Sequence, residues 1–229
     1  MVLSTAAVIP ARDEAATLAE TVRALQYISS LSHIVVADDG SRDATPEIAR
    51  QLGTELVCVS PPGRSGGKGR ALRLALLHAR ELEPGAVLLA DADLGRSATY
   101  LAALLAVLDE HNPIVVAAFP PAGTEGGLGL VKNFSRRAIL LRTGYAPSEP
   151  LSGQRALLTP LLATLPGIAP GFGAEVGMTL DLLSAGIKPL ELPLPLTHRP
   201  TGRNFAGFVH RARQGLDVVR ALRGERIPW

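Results

Sequence analysis

The chain has one cysteine, Cys58, one tryptophan and two methionines in 229 residues, and aromatic side chains make up only 4% of it. A single thiol excludes an internal disulfide and a cysteine-rich metal site, and it fits a reducing compartment. Cys58 stands within the apolar run at residues 56–59, where it is expected to be buried filler. No stretch reaches the ~18 consecutive apolar residues needed to span a bilayer. The first ten residues lack the charged region and longer apolar segment of a signal peptide and read as a strand. A soluble, cytoplasmic protein is expected, with peripheral contact at the inner membrane face left open. Charge of one sign is also missing. Lys and Arg number 23 against 21 Asp and Glu, and a net charge of +2 is too weak to argue for nucleic acid.

What is present is apolar mass. Hydrophobic residues make up 47% and charged residues 19%, which supports a sizeable core and excludes wholesale disorder. The basic residues are uneven. Between Arg199 and Arg226 seven arginines face only Asp217 and Glu225, so an anionic partner is expected at the C-terminal end.

Short apolar runs alternate with amphipathic stretches, which predicts an α/β fold: a Rossmann-like, mostly parallel sheet flanked by helices. Strands are expected over residues 5–9, 33–37, 55–60, 86–90 and 113–119, and helices over 14–27, 44–52, 70–81 and 99–110. Pro10 is expected to close the first strand. A Gly-rich loop at 120–129 and a basic helix over 130–143 follow. Then come a strand over 151–158, a helix over 175–185 and a Pro-interrupted strand over 188–195 suited to a sheet edge. From Phe205, the residues Phe208, Val209, Ala212, Leu216, Val219 and Leu222 recur at helical spacing, opposite an Arg-rich face. The expected organisation is one domain. Residues 1–119 form a first half, 120–200 a smaller mixed part, and 201–229 a C-terminal amphipathic helix.

Ligand sites of open α/β sheets lie beyond the carboxyl ends of the strands. The polar clusters fall there: Arg12, Asp13 and Glu14 after the first strand, Asp38 and Asp39 after the second, Asp91 and Asp93 after the fourth. Two carboxylates two apart at the end of a buried strand need a cation or hydrogen-bond donors. A hard divalent ion takes such oxygen ligands and shares them with phosphate; the plainer alternative is a helix cap. Asp38 and Asp39 suit a nucleobase N–H or a turn, with Ser41 or Asp43 capping the next helix. Gly67 and Lys68 precede a helix and suit phosphate, although Pro62 and Gly69 depart from a Walker A loop. Glu175 caps its helix or serves as a base or hydroxyl-positioning group. His198 becomes a metal ligand only if the fold returns it to the aspartates.

Taken in order, the strings VIPARDE (8–14), ADDGSRDAT (37–45), GKGRAL (67–72) and LADAD (89–93) resemble the successive signatures of GT-A glycosyltransferases of the family 2 type. The resemblance implies a GT-A fold and metal-dependent transfer from a nucleotide sugar. It implies that Pro10, Ala11, Arg12 and Glu14 hold the nucleoside, and that Asp38 and Asp39 hold the base. Gly67 and Lys68 would lie near the diphosphate, with Asp91, Ala92 and Asp93 forming the metal-binding DXD motif. In the second half LSGQRAL (151–157), GFGAEVG (171–177) and Thr197-His198-Arg199 are similar to glucosyl-3-phosphoglycerate synthases and their relatives. That likeness adds His198 to the metal shell and implies a phosphoglycerate loop at residues 126–131. Leu130 and Val131 stand where that family has an Arg and a hydroxyl residue.

The expected enzyme is a hexosyltransferase using UDP-glucose or another UDP- or GDP-sugar with Mg²⁺ or Mn²⁺. Asp93, Glu175 and Arg155 are its catalytic candidates. The acceptor is a small phosphorylated acid such as 3-phosphoglycerate or, alternatively, a polyprenyl phosphate met by the final helix lying on a membrane. If Glu175 is a base in line behind the anomeric carbon, transfer inverts; otherwise retention is open. A sugar-phosphate nucleotidyltransferase and a non-catalytic nucleotide-sugar binder are the rival classes. A homodimer is left open.

Overall fold

The computed structural model describes residues 3–119, 128–197 and 205–229, and for 128 and 205–213 the backbone alone. In chain order the elements are β1 (Thr5–Ala11), α1 (Leu18–Gln26), β2 (Leu31–Asp38), α2 (Thr45–Gln51), β3 (Glu55–Cys58), α3 (Lys68–Glu81) and β4 (Ala86–Leu89). A 3₁₀ turn (Gly95–Leu101) runs into α4 (Ala102–Ala106). Then follow β5 (Ile114–Ala118), α5 (Leu128–Thr143), β6 (Arg155–Leu158), α6 (Ala174–Ser184), β7 (Leu190–Pro193) and α7 (Phe205–Leu222). One sheet takes the order β3-β2-β1-β4-β6-β5-β7. β6 alone runs against its neighbours, between β4 and β5, so the sheet is mixed and mostly parallel, as expected.

Strand alternation builds a core on each face. Ala7 and Ile9 of β1 point to one side, with Leu18, Val22 and Leu25 of α1 and Leu101. Ala6 and Val8 point to the other, with Leu72 and Leu76 of α3 and Met178 of α6. Each fully buried aliphatic side chain of this kind contributes roughly 1.5–3 kcal/mol. A smaller cluster joins Ile139 of α5, Val176 and Leu180 of α6 and Val218 of α7.

Several expectations are corrected. β1 continues through Pro10 to Ala11. The β4 ladder ends at Val8–Leu89 while β2 pairs on to Ala11, so the missing N–H falls where no partner strand remains. α1 starts at Leu18 rather than Glu14, because the amides of Asp13, Glu14 and Ala15 donate to Ser41, Thr45 and Asp43. Ser41 and Asp43 therefore tie two loops together, although Asp43 also takes the amide of Thr45. The helix expected over 99–110 is a 3₁₀ turn and one short α-helix. Cys58 is exposed, not filler, because β3 lies at the sheet edge. The C-terminal helix engages part of its apolar face within the fold, Val218 and Ala221 being buried. The stretch over 188–195 shortens to β7 and occupies the opposite edge, where its prolines are tolerated. Among the described residues no helix is long and apolar enough to cross a membrane.

Candidate active site

Parallel pairing brings three chain segments to one edge. Ala11 is in register with Asp38, and the backbone oxygen of Ala11 accepts the amide of Asp39 at 2.9 Å. Val8 is in register with Leu89, two residues before Asp91. β6 runs the other way, so its first residue, Arg155, faces Leu89 at the same edge.

The centre of the edge is a lysine between two carboxylates. Lys68, the first residue of α3, places Nζ 2.8 Å from Asp91 Oδ1 and 2.8 Å from Glu175 Oε1. Burial alone would lower the affinity of Lys68 for its proton; attraction to Asp91 and Glu175 outweighs it and raises the pKa above the usual lysine value. The other oxygen of Asp91 accepts from Gln154 Nε2 at 2.6 Å, and Gln154 is fully buried. Gly153 keeps the network tight. A Cβ there would lie 2.9 and 3.0 Å from the Asp91 oxygens and 3.1 Å from Lys68 Nζ. Pro10, Lys68, Asp91, Gly153, Glu175 and Met178 line a small cleft at this point.

Arg155 is 1% exposed and borders the cleft from within. Its Nε donates to the Ser152 carbonyl at 2.9 Å and its Nη1 to Thr179 Oγ1 at 2.9 Å. Burial pulls its pKa down to about 10, with Glu175 and Glu191 acting in the opposite direction. Arg155 and Glu175 line the same cleft.

Asp39 accepts four hydrogen bonds, from Ser60 Oγ, Ser65 Oγ and the amides of Gly66 and Gly67, at 2.6–2.8 Å. Burial would raise its pKa, but these donors, led by Ser65, hold it below the usual carboxylate value. Asp39 thus anchors the loop that delivers Lys68, and Gly67 adopts the positive φ of 86° that glycine tolerates. Asp38 is occupied by the amide and hydroxyl of Ser41. The Glu14 carboxylate accepts from Thr17 Oγ1 at 2.8 Å.

The structure thus joins Asp91, Lys68 and Glu175 directly and brings Arg155 to the same cleft. Asp93 is half-buried between buried Ala92 and Leu94, two residues beyond Asp91. Arg12 lies toward the surface beside Asp13, 3.7 Å away. His198 and the loop at 126–127 lie outside the described residues. Residue-type reasoning missed Gln154, Gly153 and Asp217. Asp217 of α7 accepts the amide of Phe172 at 3.1 Å and fills the space a side chain on Gly171 would need, bracing the turn before Glu175. No spacing rule points from residue 217 to residue 172.

The Glycosyl transferase family 2 model matches residues 6–151. Glycosyltransferase AglJ of Haloferax volcanii is 29% identical over 197 residues, covering 84% of this chain. An uncharacterized Methanocaldococcus jannaschii protein, MJ1222, is 36% identical over 88 residues, 38% of the chain. The chain spans 63% of the length of AglJ, and the match to MJ1222 covers 34% of that protein. Among solved structures, glucosyl-3-phosphoglycerate synthase from Mycobacterium tuberculosis, in complex with Mn²⁺, UDP and glucosyl-3-phosphoglycerate, superposes with a TM-score of 0.71 at 25% identity. That superposition covers 96% of this chain and 80% of the other. The same enzyme with Mn²⁺, UDP-glucose and phosphoglyceric acid gives the same TM-score, identity and coverage. The strand-end acidic residues at 13–14, 38–39 and 91–93 all fall inside the matched segment, and the chain belongs to glycosyl transferase family 2.

Proposed function

We propose that the chain transfers a hexosyl group from a nucleoside-diphosphate sugar, UDP-glucose being the first donor to try, to a phosphate-bearing acceptor. The carrying observation is the partly buried Asp91–Lys68–Glu175 chain beside Asp93, at the edge where β1, β2 and β4 end. The match to a glycosyl transferase model weighs against nucleotidyl transfer and against a binding module without catalysis.

The donor set suits Mg²⁺ or Mn²⁺. Asp91 and Asp93 offer hard oxygen ligands, and both Asp91 oxygens are engaged by Lys68 and Gln154. Asp93, the second carboxylate of the motif, would hold the ion, with Asp91 beside it and His198 a further ligand by resemblance. Among the described residues no three His, Cys, Asp or Glu side chains form a metal cluster, and phosphate oxygens of the donor would complete the shell of such an ion. A bound ion supplies electrostatic relief to the departing diphosphate.

The chain's own residues do the rest. Pro10, Ala11, Arg12 and Glu14 border the nucleoside, and Asp38 with Asp39 shapes the wall beside the base. Gly67 acts through Asp39, and Lys68 brings positive charge toward the sugar–diphosphate end. Glu175, paired with Lys68, accepts a hydrogen bond from a sugar or acceptor hydroxyl and orients it. Arg155 is a positioning residue. A cytoplasmic setting suits such a donor.

Two acceptors stay in play. A phosphoglycerate-like acid follows from the solved neighbour, whereas Leu130 and Val131 at the start of α5 provide no cationic or hydroxyl grip and favour a lipid phosphate. The test is a thermal-shift panel of nucleotide sugars with and without Mn²⁺. At least one donor should raise Tm only with metal, and Asp93→Ala should remove most of that shift. Equal shifts without metal, or with Asp93→Ala, would sink the assignment. Turnover with each acceptor class then separates the two readings.

A further inference from the structure

Half of the large apolar side chains left in solvent among the described residues lie on two helices. Among the described residues Leu130, Phe134, Leu140 and Leu141 of α5 and Leu216 of α7 are exposed, on two helices in contact. Leu130, Phe134 and Leu141 are spaced by four and seven, so they form one outward stripe; they are 81%, 46% and 76% exposed. The inner face of α5 is already engaged, through Ile139 against Val176, Leu180 and Val218. α5 thus has two apolar faces, and the fold covers one.

Charge accompanies the stripe. Residues 128–143 contain Lys132, Arg136, Arg137 and Arg142 and no Asp or Glu. Lys132 pairs with Glu149, and Arg142 donates to the Leu222 carbonyl. Arg136 and Arg137 are exposed beside the apolar residues. On the described part of α7 the carboxylate of Asp217 is turned to the Phe172 amide.

We propose that this face of α5 docks the protein on an anionic bilayer surface. Leu130, Phe134 and Leu141 enter the headgroup–acyl boundary while Arg136 and Arg137 meet lipid phosphates. Charge selects this occupant over a second copy. A two-fold contact sets a patch against itself, which would oppose Arg136 and Arg137 to their own counterparts with no carboxylate on either α5. An anionic leaflet supplies the complementary charge. The sequence pattern pointed to α7 for this role; among the described side chains of α7 Val218 and Ala221 are buried, and the stripe on α5 is exposed.

The experiment is co-sedimentation of the full chain with phosphatidylcholine vesicles, with and without phosphatidylglycerol. Binding is expected only with the anionic lipid, weakening with salt. Phe134→Glu and Leu141→Glu should each lower the bound fraction about tenfold. Tyr27→Glu, at an exposed aromatic on the far side of the chain's first helix, should leave it unchanged. Arg136→Gln with Arg137→Gln tests the charge without adding any to the apolar stripe. Absence of vesicle binding, or equal binding by every variant, overturns the proposal. So does a concentration-dependent dimer that the same variants abolish without vesicle binding. The readout is partitioning, not turnover, so it stands or falls apart from the donor assignment.

Discussion

The two halves of the sheet solve the problem of buried charge differently. In the donor half, β1, β2 and β4 run parallel and end together, and their acidic residues are met by neutral donors. Asp39 takes the loop at 60–67, Asp38 takes Ser41, and Asp43 takes the loop at 13–15. In the acceptor half, buried Arg155 donates to the Ser152 carbonyl and Thr179 with Glu175 and Glu191 attracting it, and half-buried Asp217 takes the Phe172 amide. A carboxylate held by several neutral donors tolerates the loss of one, because the others remain. A buried charge with few partners does not, because leaving it unpaired in low dielectric is costly. Lys68 links the two, holding Asp91 of one half and Glu175 of the other.

Substitutions sharpen this contrast. The largest effect is expected from Asp93→Ala, a fall in kcat of about a thousandfold at saturating donor and Mn²⁺. Next comes Arg155→Met, which removes a buried guanidinium and its bonds to the Ser152 carbonyl and Thr179 and should cost about 3 kcal/mol in urea unfolding. If it is as stable as wild type, the acceptor half does not depend on its buried charge. Gly153→Ala pushes a methyl into Asp91 and Lys68 and should lower kcat about thirtyfold, about 2 kcal/mol in the barrier. An unaltered rate would mean that the network relaxes freely.

Asp39→Asn should cost about 1.5 kcal/mol of stability and weaken donor binding, measured by calorimetry. Asp39 has a folded pKa below its ordinary 3.8, so its contribution is complete above that value and is lost as pH falls through the lower folded one. The variant should flatten this acid limb. Glu55→Gln is the smallest. Glu55 opens β3 at the amino edge, opposite the site, and is held low, against its burial, by His78 and His33. Its loss should cost about 0.5 kcal/mol and leave turnover intact.

Local order made much of the first 119 residues legible. An apolar run of four to seven residues followed by charge can hardly be anything but a buried strand with its ligand end exposed, and three such runs appear in sequence. The shorter start of α1 and the length of β1 escaped notice because both depend on partners, Ser41, Thr45 and Asp43 for one and the early end of β4 for the other. Cys58 was misjudged for a similar reason: its apolar neighbours say strand, while only the strand order says edge.

Composition and periodicity by themselves determined the fold class, the side of the sheet that carries chemistry, and the acidic residues gathered there, because these follow from local alternation of apolar and polar residues. The tertiary structure alone decided that Lys68 sits between Asp91 and Glu175, that Gly153 must lack a side chain, and that α5 presents an uncovered apolar face. Those facts depend on contacts between residues 20 to 110 positions apart, and no local pattern in a chain encodes which distant surface will arrive to cover it.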